Sequence, residues 1–279
     1  MRALFVPASG QPASLTDLPV PTPGAGEVQV RVQAAGLNPS DNHIAAGALE
    51  QIMEHRYPLV LGRDVAGVVE AVGDGVRGVA VGEEVAAAAL PLVAGAARAL
   101  VDGVDPQPGD VVLINGASGG VGRIAVQLLA QLGVTVVATA SPATADRMRE
   151  LGANDVVDYT AGPVAEQVRA LHPDGVDALI NLNGWVLEQV PIGAVRSGGV
   201  VRTVTQVPDD ATLAAHGLTG GQVMASPTGS ILAPLAEQAA SGLLQVDVFR
   251  VLPLGQAQAG LAEIEAGNVH GKIVVDLSL

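Results

Sequence analysis

Cysteine is absent from this 279-residue chain, which excludes disulfides, thiolate metal ligands and cysteine nucleophiles together. Lysine is nearly absent as well: Lys272 stands alone among 14 cationic side chains, the rest being arginine. Against 28 Asp and Glu these leave a net charge of −14, which repels nucleic acid and anionic membrane surfaces. No hydrophobic run approaches the ~20 residues that span a bilayer. The longest uncharged apolar stretch, Val85 to Ala97, is broken by Pro91. At the amino terminus Arg2 is followed by Pro7 and polar residues where a signal peptide would carry its apolar segment. These absences predict a cytoplasmic protein with neither nucleic-acid nor membrane partners. What is present is enough for a sizeable core: 49% of residues are hydrophobic, and the length suits about two domains.

The texture changes along the chain. Val28 to Ala35 reads VQVRVQAA, the period-2 alternation of a half-buried strand, and Val65 to Val72 repeats β-branched residues. Turn residues at Pro21, Pro23 to Gly26, Gly36 to Pro39, Gly73 to Gly75 and Gly78 to Gly82 separate short apolar runs, so the first 85 residues read as all-β. After Pro108 and Gly109, buried strands alternate with amphipathic helices. Strands are expected at Val111 to Asn115, Val134 to Thr139, Asp155 to Val157, Ala178 to Asn181, Gly199 to Val204 and Gln222 to Ala225. The clearest helix is Val121 to Leu132, with Val121, Ile124, Ala125, Leu128 and Leu132 on one face and Gly133 ending it. Others are expected at Ala143 to Leu151 and Ile231 to Leu244, and a last strand in the IVVDL of the tail. Strand, helix, strand at this spacing implies an α/β fold with a doubly wound parallel sheet.

Between the strand ending at Asn115 and the helix near Val121 lie Gly116, Ala117, Ser118, Gly119, Gly120, Val121 and Gly122. Such a turn needs glycine where φ is positive, where backbone approaches a pyrophosphate, and where helix packs on strand. Phosphate would then meet the free N–H groups at the helix start. Dinucleotide binding is the expected role, a purely structural turn the alternative. A cofactor with a free ribose 2′-hydroxyl usually meets a carboxylate about 20 residues past the glycines. Here that stretch is Thr139, Ala140, Ser141 and Pro142, without a carboxylate; Ser141 offers a donor, and Arg147 lies further on. NADP(H) is therefore expected over NAD(H). For Arg149 and Asp146 a solvated helix face is the plainer reading.

Five segments in order resemble the medium-chain dehydrogenase/reductase superfamily, in its zinc-free quinone oxidoreductase and enone (enoyl) reductase branch. They are GEVQVRVQAAGLNPSD, LGRDVAGVVEAVG, NGASGGVG, LGANDVVDY and GNVHGKIVVDL. The resemblance implies a GroES-like β-barrel catalytic domain (1–88), a Rossmann domain (89–228) and a carboxy-terminal segment (229–279) returning to the first. It also implies a homodimer through the last Rossmann strand, Gln222 to Ala225. Where zinc-dependent relatives carry Gly-His-Glu this chain has Gly62, Arg63 and Asp64, and no cysteine supplies the other ligands, so no metal is expected. His55 and Asp64 alone fall short of a site.

The same resemblance places Asn38 and Asp41 in the loop facing the nicotinamide, followed by His43 where the family carries tyrosine. It places Tyr159 near the adenosine phosphate, with a partly buried packing residue as the alternative, and Lys272 at the cofactor cleft, with a simple surface charge as the alternative. One departure stands out: the strand-bearing segment that family members carry between the parts matched by Val81 to Val85 and Ala86 to Leu100 is missing, so the barrel is shortened and its sheet edges are left unpaired. A threonine that the family often has in the following helix falls here at Gly95 or Ala96. The implied activity is NADPH-dependent hydride transfer to a quinone or an α,β-unsaturated carbonyl. The rival is a non-catalytic NADPH-binding sensor or structural protein. An alcohol dehydrogenase is a third, weaker reading, because Tyr159 has no lysine four residues later.

Overall fold

The structure is a computed structural model describing residues 1–279 other than 49, 51–56, 88–90, 185, 206, 225–227 and 268, and excluding the side chains of 86, 87 and 91. The chain begins with β1 (Arg2–Val6), β2 (Ser14–Asp17), β3 (Val28–Leu37), α1 (Pro39–Ala45), β4 (Leu59–Val60), β5 (Asp64–Val72) and β6 (Glu84–Ala87). A βα series follows: α2 (Pro91–Val104), β7 (Val111–Asn115), α3 (Gly120–Gln131), β8 (Thr135–Ala140), α4 (Pro142–Glu150), β9 (Asp155–Asp158), α5 (Val164–Leu171), β10 (Val176–Asn181), β11 (Val195–Thr203), α6 (Asp210–Ala215), β12 (Thr219–Gln222) and α7 (Gly229–Ala240). It closes with β13 (Val248–Pro253), α8 (Ala257–Glu265) and β14 (Lys272–Asp276).

Two units emerge: Met1–Pro91 with Val248–Leu279, and Leu92–Asp247. In the second, six strands in the order β12-β11-β10-β7-β8-β9 pair in parallel. The order reverses direction at β7, the hallmark of a doubly wound sheet whose crevice lies at the strands' carboxyl ends. Leu113, Val137, Val157, Leu179 and Val201 pack one core cluster there. Continuous apolar runs fit strands covered on both faces.

The first unit holds two sheets, β2-β1-β4 and β13-β14-β3-β5-β6. Their shared core gathers Leu4, Leu37, Leu252, Leu261, Ile273 and Val275, so residues from both chain ends complete one hydrophobic cluster. Among the described residues β6 pairs with β5.

Four expectations are corrected. The first 85 residues are not all-β: α1 lies among them, and its start at Asn38-Pro39 with Asp41 at the third helical position is a recognisable helix signal. The edge strand is β12 at 219–222 instead of 222–225, and Ala225 is outside the described residues. The helix matched by Ala86 to Leu100 begins at Pro91. The carboxy-terminal return begins at Val248, not at 229. α7 and the turn after it belong to the parallel-sheet unit because Leu235 and Leu244 are buried there, while Gln127 Nε2 donates to the Gln245 carbonyl (3.0 Å) and Gln245 N–H to Gln127 Oε1 (2.7 Å). Among the described residues no helix is long and apolar enough to cross a membrane.

Candidate functional site

In the parallel-sheet unit the glycine turn sits at the carboxyl end of β7. Gly116 has φ +87°, a left-handed conformation that favours glycine, and its N–H donates to Thr139 Oγ1 at the end of β8 (2.8 Å). Asn115 Nδ2 donates to Asn181 Oδ1 (2.8 Å) and to the Asn183 carbonyl (3.1 Å), and Asn181 Nδ2 donates to Thr203 Oγ1 (3.1 Å). The ends of β7, β8, β10 and β11 are thus laced together beneath the turn. A Cβ on Gly122 would lie 2.5 Å from Ala117 Cα, Ala117 O and Gly116 O, so only glycine lets the helix start against the strand end. Gly119, the residue capping α3, has no side chain to satisfy the first amides, and none of the capping bonds of that end comes from a side chain. Unclaimed N–H groups with the positive end of a helix dipole suit an anion. Gly116, Ser118, Gly119, Gly120, Val121 and Gly122 therefore fit a dinucleotide pyrophosphate.

The residues expected around the ribose are placed less uniformly. Ser141 follows β8 at the N-cap position of α4, with its Oγ 3.4 Å from Thr144 Oγ1. Tyr159 follows β9 and is 49% exposed, so it is a surface residue and not a packing one. Arg147 departs from expectation. Its Nε and Nη2 donate to Asp247 (3.0 and 2.6 Å), Nη2 also to Gln245 Oε1 (2.8 Å), and Nη1 to Glu150 (3.0 Å). Asp247 further pairs with Arg123, which is buried. Hydrogen bonds from Arg147 hold the Asp247 carboxyl below its usual range. The guanidinium expected to meet a 2′-phosphate is instead bound to a carboxylate of its own chain, because Asp247 lies 100 residues away in sequence and beside it in space.

In the other unit Asn38, Asp41, Asp64 and Lys272 form one buried cluster. Asp41 accepts from the Asn38 N–H (2.8 Å), Asn38 Nδ2 donates to Asp64 Oδ2 (2.9 Å), and Lys272 Nζ donates to the Leu37 carbonyl (3.0 Å), Asn38 Oδ1 (2.5 Å) and Asp64 Oδ2 (3.3 Å). Lys272 is only 4% exposed, so the alternative of a surface charge is excluded, and it anchors β14 to the entrance of α1. Both ends of the Asn38 amide are engaged, which makes Asn38 a positioning residue. His43 lies half-buried on α1. The sequence singled out these four residues but not their mutual contacts, because Lys272 joins Asp64 across 208 residues.

Burial raises the Asp41 carboxyl from 3.8 to about 6, against the opposing Asn38 N–H and Lys272 charge. Burial likewise lowers Lys272, with Asp64 opposing. Between pH 4 and 6 the folded chain then holds a proton on Asp41 that the unfolded chain has released. Stability should fall as pH rises through this window, by up to about 3 kcal/mol, and level off above it. Urea unfolding of wild type and Asp41→Asn across this range checks this: the difference between the two should shift in favour of the variant as pH rises. Parallel curves would show that Asp41 does not titrate in this range.

Zinc fits poorly. Asp64 is committed to Lys272 and Asn38, the chain has no cysteine, and among the described residues no three His, Asp or Glu gather as ligands. His55 lies outside the described residues.

Comparison with known proteins agrees with this geometry. The alcohol dehydrogenase GroES-like domain family matches residues 24–127, and the zinc-binding dehydrogenase family residues 151–275. The chain is 27% identical to the mitochondrial NAD(P)H oxidoreductase RTN4IP1 of Danio rerio, over 90% of this chain and 84% of that one. It is 28% identical to a chloroplast envelope quinone oxidoreductase homolog of Arabidopsis thaliana, over 93% and 92%. That alignment runs to 309 positions, more than the 279 residues available, so it crosses segments this chain lacks. A solved NAD-dependent alcohol dehydrogenase superposes with TM-score 0.85 at 29% identity, covering 99% of this chain and 100% of the other. With two family matches covering most of its length, a parallel sheet in doubly wound order and a GroES-like unit built from both chain ends, the chain belongs to the medium-chain dehydrogenase/reductase superfamily.

Proposed function

We propose that this protein is an NADPH-dependent, zinc-independent reductase that transfers hydride to a quinone or to the C=C bond of an α,β-unsaturated carbonyl. The observation that carries the reading is the glycine turn on an uncapped helix start, in a chain similar over nearly its full length to a quinone oxidoreductase homolog. The dinucleotide, when bound, supplies the hydride. Gly116 to Gly122 hold its pyrophosphate, and the Asn38, Asp41 and Lys272 cluster fixes the start of α1, which carries His43. The half-buried imidazole of His43 is one group on this helix able to donate to an oxygen gaining negative charge, or to pass it a proton. Preference for NADPH rests on Thr139 to Pro142, where no carboxylate would repel a 2′-phosphate, and on the Ser141 hydroxyl. Two copies would pair through β12, the edge of the six-stranded sheet.

Among the described residues the two sheets of the first unit share no strand pairing, which favours a second reading, a non-catalytic NADPH-binding protein. One experiment separates the two. NADPH and NADH fluorescence are titrated with protein, then quinones, enones and enoyl thioesters are added and absorbance followed. Tighter NADPH than NADH, with turnover of one class, is the expected result. Binding without turnover across the panel gives the second reading, and equal or tighter NADH overturns the NADPH preference.

A further inference from the structure

Two guanidinium groups converge on one carboxylate in the parallel-sheet unit. Arg123 on α3 and Arg147 on α4 both donate to Asp247, the last residue of that unit. Arg123 is 6% exposed, and a guanidinium buried to that extent needs a counter-charge. Asp247 supplies it, and hydrogen bonds from Arg147 hold its carboxyl below the usual range, so it stays ionised. The Gln127–Gln245 bonds fix the same segment to α3 two residues earlier.

From this anchor Arg123 reaches the glycine turn. Its Nε donates to the Ser118 carbonyl (2.8 Å), while at the other end of the same peptide the Gly119 N–H donates to the Gly116 carbonyl (3.2 Å). Both ends of the Ser118–Gly119 peptide are therefore held, immediately ahead of the N–H groups that open α3. Without the Arg123 bond this peptide would be tied at one end, by the longer bond, and followed by the residue type that resists rotation least. A ligand would then have to order the turn as it binds, and would lose affinity by doing so.

We propose that Asp247 is a positioning residue for the dinucleotide: it seats the Arg123 guanidinium against the Ser118 carbonyl and so sets the glycine turn before the pyrophosphate arrives. The proposal rests on the dinucleotide reading of that turn. Asp247→Asn leaves two like charges beside a neutral amide, and their repulsion draws Arg123 off Ser118. Arg123→Met removes the same bond without leaving a buried charge unpaired, so it serves if Asp247→Asn does not fold.

NADPH and NADH are titrated by fluorescence into the full chain and its variants, well below each melting transition. Each single variant should weaken both dinucleotides by about 10-fold, the contribution of one hydrogen bond to a charged group. The loss should be equal for the two, because they share the pyrophosphate. The double variant should lose no more than either single one, since both residues act through one bond. In a Gly119→Ala background, where alanine narrows the freedom of the turn, the loss on Arg123→Met should be about 3-fold smaller. If the wild-type chain binds neither dinucleotide, the dinucleotide reading falls and this proposal with it. If wild type binds, three results overturn the proposal alone: Arg123→Met binding as tightly, additive losses in the double variant, or a loss undiminished by Gly119→Ala. A loss confined to NADPH, or a gain in NADPH affinity on Asp247→Asn, would place the network at the 2′-phosphate and overturn it too.

Discussion

Replacing Lys272 by methionine is expected to destabilise the folded chain by about 3–5 kcal/mol, the cost of removing one partner from a buried ion pair. The ammonium donates to three acceptors: the Leu37 carbonyl, Asn38 Oδ1 and Asp64 Oδ2. Asp64 and Asp41 are each 1% exposed, and Asp64 Oδ1 already lacks a partner. Without the cation both carboxyls remain buried with no charge to offset their desolvation, the Asn38 N–H and Nδ2 being neutral donors. Methionine matches the stem of lysine in length, so lost packing contributes little. Two signatures separate this electrostatic account from simple core damage. The deficit should shrink at low pH as Asp41 takes up a proton, and the double variant Lys272→Met/Asp64→Asn should recover a large part of it. Urea denaturation at pH 4.5 and 7.5 measures both. A pH-independent loss, or no recovery in the double variant, would mean that the cluster is held by shape and not by charge.

Gly122→Ala should weaken dinucleotide binding by about 100-fold, equivalent to ~3 kcal/mol. The added carbon would lie 2.5 Å from three backbone atoms, Ala117 Cα, Ala117 O and Gly116 O, and backbone cannot step aside as a flexible side chain does. Relief requires the turn to lift away from α3, which displaces the amides that would meet the pyrophosphate. Gly119→Ala is the control: its Cβ would meet only Gly116 O, at 3.5 Å, and its φ of −77° suits any residue. That variant should keep wild-type stability, and any affinity it loses reports crowding of the phosphate itself. Fluorescence titration with NADPH, beside thermal melts of both variants, provides the comparison. Affinity of Gly122→Ala within a few-fold of wild type would remove the turn from the binding site.

Local periodicity and glycine spacing were enough to place much of the parallel-sheet unit. Val111 to Asn115 is a strand with the expected ends, α3 runs from Gly120 to Gln131 where Val121 to Leu132 was expected, and Gly133 follows it with φ +72°. These features are written in local periodicity and in glycines at fixed offsets, which need no knowledge of distant residues. The start of α1 was legible in the same local terms at Asn38-Pro39, though the β texture around it hid the helix. Tertiary structure alone decided the partners of charge. Asp247 claims Arg147 from 100 positions away, and Lys272 reaches Asn38 across 234. It also decided that α7 stays with the parallel sheet, through Leu235, Leu244 and the Gln127–Gln245 bonds. The physical reason is the same in each case. Burial and hydrogen-bond satisfaction are set by whatever the fold brings within a few ångströms, and one sequence read along its length carries the spacing of its neighbours but not the identity of its long-range contacts.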